Sequence, residues 1–421
     1  MRRFNILIFL MFCCVQGLFA QRQTTSPFTR YGYGDLFSNS TAYNQAMGGI
    51  GVGQQTKTQI NFLNPAHQSS VQKETFLFNV ALGANIRHAK EEEVSATFSS
   101  VGLESFSMAF PIIPDRWGCA VGLLPFNSVG YSMNYKDSLA EYTYTGDGGI
   151  NQVALSTGLR IFKGLSLGVH TAFVFGTTDY TGENSFTDNS SFHARKRLEY
   201  KTKGFLWNVG LQYNWEITDG KTITAGTTFR SEQSFSYKQT EYFGSFFTNG
   251  VLEYQKDTAT LTNSESDTDI PLEIAFGLGY KFDNHYSFGI DAGLQNWEGI
   301  SCYGTTDSNL KQTKYLKLGG EWIPDYRSAR FYKKMPIRVG FHYSDLPIIF
   351  TYNNEYAQAK EFGFTLGSRI QSKQTRNNLS FAADFGVRGN SSLAKSLQET
   401  YLQIKLNITL QEVWFTKRKI N

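Results

Sequence analysis

Residues 271–282 read PLEIAFGLGYKF, and from Leu272 onward the side chains alternate without a break. Leu272, Ile274, Phe276, Leu278, Tyr280 and Phe282 share one face; Glu273, Ala275, Gly277, Gly279 and Lys281 share the other. A period of two belongs to an extended strand, whose side chains leave alternate faces. One face here is broad and greasy, the other small or charged. The pattern returns in 377–390, where Leu379, Phe381, Ala383, Phe385 and Val387 oppose Ser380, Ala382, Asp384, Gly386 and Arg388. It returns again in 400–410, with Leu402, Ile404, Leu406, Ile408 and Leu410 against Gln403, Lys405, Asn407 and Thr409.

Working outward, fourteen such segments follow residue 74: 74–89, 98–112, 117–132, 149–162, 165–178, 194–217, 222–243, 269–282, 286–299, 314–325, 335–347, 357–371, 377–390 and 398–412. Strands of soluble sandwiches and propellers average about five or six residues, far shorter than these. A tilted strand crosses the hydrocarbon of a bilayer in about nine to eleven residues. The connections alternate in length. Lys163-Gly164, Thr218-Asp219-Gly220-Lys221 and Asp283-Asn284-His285 are tight, whereas 133–148, 179–193, 244–268 and 300–313 are long and polar. Two depart from the alternation: 326–334 is long for a turn and 90–97 is short for a loop. This asymmetry predicts an all-β fold, a transmembrane antiparallel β-barrel of fourteen strands, with short turns and both termini in the periplasm. Trp117, Trp207, Trp297, Trp322, Trp414 and Phe415 fall near strand ends, where interfacial girdles form.

Composition agrees. The chain has 35 Phe, 23 Tyr and 39 Gly beside 9 Pro in 421 residues. Its net charge of +4 falls to +2 once Arg2 and Arg3 are set aside, which gives no reason to expect nucleic acid as a partner. Residues 1–20 read as a signal peptide: Arg2 and Arg3, an apolar run from Ile6 to Val15, and Ala20 before Gln21. Cys13 and Cys14 raise a lipoprotein alternative, but Phe12 stands where lipidation wants a small residue. No later run approaches the eighteen apolar residues of a membrane helix. The mature chain keeps Cys119 and Cys302, which the strand map separates, so two free thiols are expected.

Three units therefore follow: a signal peptide over 1–20, a glycine-rich irregular segment over 21–73, and the barrel over 74–421. The middle unit carries Arg30-Tyr31-Gly32-Tyr33-Gly34, the glycines Gly48 and Gly49, and Asn64-Pro65-Ala66 just before the first strand. These residues, followed by fourteen strands, resemble the FadL-type outer-membrane transporters, and more closely their Bacteroidetes branch. The resemblance implies that residues 21–66 form a hatch plugging the lumen, with Gly48, Gly49, Asn64, Pro65 and Ala66 inside it. It also implies passage of fatty-acid-like molecules, released sideways through a wall opening made by a kinked strand. Irregular backbone at membrane depth is tolerated only where protein or lumen water surrounds it. The alternative for these glycines is a periplasmic turn segment.

Transport predicts an apolar pocket behind the loops; Tyr242, Phe243, Phe246 and Phe247 are candidates to line its mouth, or equally an interfacial girdle. A second function stays open, that of a structural or cargo-shuttle barrel of type IX protein secretion, with secretion proteins as partners. The expected partners otherwise are the bilayer and lipopolysaccharide, a hydrophobic small-molecule ligand, and the barrel-assembly machinery during biogenesis.

No reaction chemistry is legible. His342 and Ser344 share a strand face, but a nucleophile needs a base and an orienting group beside it. The six His show no ligand spacing, so no metal is expected, and the glycine run lacks a phosphate-binding context, so no cofactor is expected. Arg195-Lys196-Arg197 at the outer rim are either solvated or bridge lipopolysaccharide phosphates. Glu273, Lys281, Asp291, Lys317, Glu321, Arg338, Arg369, Asp384, Arg388 and Lys405 face the lumen, where opposite charges on neighbouring strands are expected to brace it.

Overall fold

The structure is a computed structural model that describes residues 26–73, 75–186, 191–248, 253–283, 285–303, 305–306, 310–328, 330–372, 376–390 and 396–413. The signal-peptide stretch and the girdle candidates Trp414 and Phe415 lie outside the described residues. The alternating segments form β1 (Thr75–Glu91), β2 (Val94–Ile113), β3 (Trp117–Lys136), β4 (Ala140–Arg160), β5 (Leu165–Phe186) and β6 (His193–Thr218). They continue as β7 (Lys221–Arg230 and Gln233–Thr248), β8 (Glu253–Ile270 and Leu272–Phe282), β9 (Tyr286–Asn296) and β10 (Thr313–Trp322). The last four are β11 (Ile337–Tyr352), β12 (Glu355–Gln371), β13 (Asn378–Gly389) and β14 (Gln398–Val413). Both halves of β7 face β6 on one side and β8 on the other, so each interrupted pair counts as one strand.

Each strand pairs antiparallel with the next, and β14 returns to β1 from Val413 opposite Thr75 to Gln398 opposite Lys90. The result is a closed fourteen-stranded antiparallel barrel. Closure removes the sheet edges that hydrocarbon cannot solvate. The greasy faces point outward: Phe276, Leu278, Phe288, Phe364 and Phe385 are all exposed. Trp117, Trp207 and Trp322 are exposed as well, as girdle residues should be. Trp297 is not one of them. It is buried against Tyr33, with ring centroids 6.3 Å apart.

The sequence reading of strand order holds, and its boundaries fail at the outer end. Stretches 133–148 and 244–268 read as loops, but β3, β4, β7 and β8 run through much of them. Glu253 to Ile270 pairs with Thr248 to Gln233, with two bulges, at Gln255/Asp257 and Thr260/Thr262. Beyond the bilayer both sheet faces are wet, so the greasy alternation vanishes while the backbone ladder continues.

The lumen is filled by chain. Residues 26–71 carry three short helical turns, Pro27–Arg30, Ala42–Gln45 and Pro65–Ser70, and most of their side chains are buried. The wall meets them through glycine. A Cβ on Gly118 would fall 2.0 Å from the Gln68 carbonyl oxygen, on Gly168 2.2 Å from the Ala66 nitrogen, and on Gly226 2.0 Å from the Val52 oxygen. Gly319 and Gly340 meet Met47 and Gly48 in the same way. Register places these glycines side by side, Gly118 opposite Gly158, Gly158 opposite Gly168, and Gly168 opposite Gly210. A bare collar thus runs around the inside, and the inner segment lies backbone to backbone against it.

Candidate functional site

Asn64-Pro65-Ala66 shows how the inner segment is seated. Asn64 caps the turn Pro65–Ser70, its Oδ1 accepting from the Ala66 N–H at 3.0 Å. Its Nδ2 donates to the Val52 carbonyl at 2.9 Å and to the Leu211 carbonyl of β6 at 3.2 Å. One side chain therefore ties a cap, a neighbouring loop and the wall. Gly48 and Gly49 have φ of +69° and +79°, the left-handed region that glycine occupies without a steric penalty. The Gly48 N–H donates to Thr365 Oγ1 of β12 at 2.8 Å.

Asp291 on β9 holds the next loop. Its carboxylate accepts from the N–H groups of Gly51 at 2.6 Å, Val52 at 2.8 Å and Gly53 at 3.3 Å. Removing that acceptor strands up to three buried donors. Asp291→Ala should therefore lower stability by about 3 kcal/mol, read as an earlier midpoint in a urea titration of the folded band on gels. An unchanged midpoint would mean that water substitutes for the carboxylate.

The strongest tether was missed from sequence. Asp35 sits between Arg87 of β1 and Arg388 of β13; the Arg388 Nη1–Asp35 distance is 2.8 Å, and Arg87 contacts the same carboxylate. Arg388 also pairs with Glu399 of β14 at 2.8 Å, and the Ser26 hydroxyl donates to Glu399. All four charged side chains are largely buried. Asp35 is the only carboxylate between residues 21 and 73, which was the available signal. Lumen charges also brace strand to strand, as expected: Arg338 meets Glu321 at 2.7 Å and Arg230 meets Glu273 at 2.9 Å.

Between the inner segment and the wall lies a cavity of about 460 Å³. Its lining is mixed, not apolar: Phe62, Phe229 and Trp297 are joined by Lys317, His342 and Asp384. His342 Nε2 lies 3.1 Å from Asp384 Oδ1, and Ser344 lines the same cavity. Tyr242, Phe243, Phe246 and Phe247 do not line it. They sit on the outer half of β7, where Phe246 lies tilted against His193 and under Arg195, and Phe243 is exposed. Arg195, Lys196 and Arg197 meet Glu253, Glu241 and Asp179 at 2.8–2.9 Å. Cys119 and Cys302 are separate, buried thiols.

The wall is incomplete beside this cavity. β2 and β3 pair only from Phe106 opposite Leu123 down to Ile113 opposite Trp117. Above that point β3 turns inward at Pro125, where the ladder to β4 carries a bulge. Phe126, Asn127, Val129 and Tyr131 are all buried, and Asn127 and Ser128 pair with Leu36 and Asp35 of the inner segment. Proline removes one ladder donor, which is why the bend falls there. The notch so formed is lined by Glu104, Ser105, Leu124 and Pro125, with Phe37 to Ser40 between it and the cavity. Lys405 closes its inner side, 2.8 Å from Glu104 and 3.0 Å from the Ser40 carbonyl oxygen.

The closed fourteen-stranded barrel has the fold of FadL-type hydrocarbon channels. A homologue of FadL from Pseudomonas aeruginosa superimposes with a TM-score of 0.60 at 12% identity, over 91% of this chain and 100% of that one. The Ralstonia pickettii toluene transporter TbuX gives 0.57 at 13% identity over 89% and 98%. The P. putida toluene transporter TodX gives 0.57 at 13% identity over 90% and 99%. At such identities the likeness shows the fold alone. A family model settles membership: the chain matches BamG over residues 1–421 and belongs to the BamG family. No curated protein sequence matches.

Proposed function

We propose that this chain is an outer-membrane conduit that takes small amphiphilic or hydrophobic molecules, fatty-acid-like in build, into its cavity and releases them sideways. The observation that carries this reading is the β2–β3 notch lying against the cavity, separated from it by residues 37–40. Capture would occur at the outer hairpins, followed by a shift of the inner segment acting as hatch and exit past Glu104 and Lys405. The mixed cavity lining favours a ligand with a polar head over a pure hydrocarbon. Lipid and lipopolysaccharide surround the outward apolar band, and the Bacteroidetes affinity of the N-terminal motifs belongs to this same proposal. No covalent chemistry and no cofactor enter it.

A second reading follows from the tethers. An inner segment bonded to β1, β6, β9, β12 and β13 suits a barrel that stays shut. On that reading the chain is a structural partner of proteins that assemble or export others, type IX secretion proteins among them. Native mass spectrometry of the protein from its own outer membrane separates the two. A co-purifying lipid-like ligand, reduced at least fivefold by Lys405→Met with Glu104→Met, is the expected result. Stable protein partners with no small ligand would overturn the conduit in favour of the partner barrel.

A further inference from the structure

A second break in the wall lies four strands around the ring from the notch. β6 pairs with β7 in two blocks, Val209–Thr218 with Lys221–Phe229 and His193–Lys203 with Ser236–Phe246. Between the blocks, residues 204–208 of β6 and 230–235 of β7 share no ladder. β8 is broken at the same level by Pro271, with Gln233 opposite Ile270 and Arg230 opposite Glu273. Proline there brings no N–H to the sheet.

At the lower edge of the upper block Phe235 packs on Gly204, and among the described residues the hydrogen bonds across the rest of the seam come from one side chain. The Gln233 amide oxygen accepts from the Trp207 N–H at 2.9 Å, and its amide nitrogen donates to the Trp207 carbonyl at 2.7 Å. A primary amide carries a donor and an acceptor with the geometry of a peptide group, so Gln233 stands in for the missing rung. Without it the Trp207 backbone groups would be left unpaired next to lipid, a costly state in hydrocarbon. On the outside, Phe205 and Trp207 are exposed in the apolar band. On the inside, Asn208, Thr228, Arg230 and Pro271 line the cavity.

We propose that this seam is a second lateral passage between cavity and bilayer, for chains of apolar molecules, and that the Gln233 amide is its latch. The passage extends the conduit reading and gives the cavity two side doors, one at β2–β3 and one at β6–β7. An amide latch suits the role. It satisfies the backbone when closed, and it swings on side-chain torsions alone, leaving the ladders above and below intact.

The test uses the full chain in phospholipid vesicles, with Cys119 and Cys302 replaced by alanine. Thr228→Cys reports from the cavity side of the seam, and Ser105→Cys from the notch. A bilayer-dissolved pyrene maleimide and a water-soluble maleimide are compared at each. Gln233→Met keeps the length of the side chain and removes both hydrogen bonds. It should raise pyrene labelling at Thr228→Cys about tenfold and leave Ser105→Cys unchanged. Retained heat-modifiability on gels confirms that the variant is folded; Gln233→Glu, which keeps the acceptor and loses the donor, provides a second latch variant. An unchanged pyrene rate at Thr228→Cys in both, or an equal rise with the water-soluble reagent, overturns the passage. Labelling at the seam with none at Ser105→Cys would sink the notch as an exit while leaving the seam standing.

Discussion

Gly168→Val should unseat the inner segment while sparing the wall. The valine Cβ alone would stand 2.2 Å from the Ala66 nitrogen and from the Pro65 carbonyl carbon, closer than any relaxed contact. Neither neighbour is a flexible side-chain tip. Both belong to a turn capped by Asn64 and sealed by the Ser69–Ser166 hydrogen bond at 2.8 Å. Overpacking of a filled interior typically costs about 1–3 kcal/mol, and backbone on both sides puts this site at or above the upper end. The outward face of β5 is untouched, so the folded band on gels should persist. Limited proteolysis should then cut within residues 26–71, where burial in the lumen should protect the parent chain. Resistance equal to the parent would mean that the turn simply slides along the collar.

Asp35→Ala should be the most destabilising single loss of charge. It leaves Arg87 and Arg388 in a largely buried site with Glu399 as the remaining carboxylate of the cluster. Breaking a buried ion pair by removing one partner costs about 3–5 kcal/mol, because the stranded charge cannot recover its hydration. A urea titration monitored by the folded band reads this directly. The cycle Asp35→Ala with Arg87→Ala should be strongly non-additive, since the second change removes one stranded cation. Additive losses would assign the effect to packing and not to charge.

How much of this was legible follows from what alternation can report. Leu272 to Phe282 announces a strand because lipid demands one greasy face, and the same demand fixes the order and number of strands. The demand lapses outside the hydrocarbon, so Glu253 to Ile270 carried no such signal and read as a loop. Trp297 was misplaced for a related reason. Its position near a strand end resembles a girdle, yet its neighbour in space is Tyr33, more than 260 residues away in sequence. Gly48, Gly49 and Asn64 were singled out through a resemblance of short motifs, which a local stretch of sequence can carry. Asp35 and Gln233 were not, because each acts on a partner that only the closed ring brings near. The aromatics from Tyr242 to Phe247 lie within a strand and outside the cavity lining, which leaves the girdle alternative for them.

The bare collar has a consequence for how the molecule is made. At the level of the collar the wall carries hydrogen atoms in place of side chains and leaves that layer for other chain to occupy. If β14 met β1 around an empty space, the inner segment would then have to be threaded through backbone already locked in place. The Asn64 cap and the Asp35 clamp use partners on β1, β6 and β13, strands far apart in the order of synthesis. The segment that precedes β1 in the chain is thus best placed as a mandrel, with the sheet wound around it and the last seam zipped when both are in position.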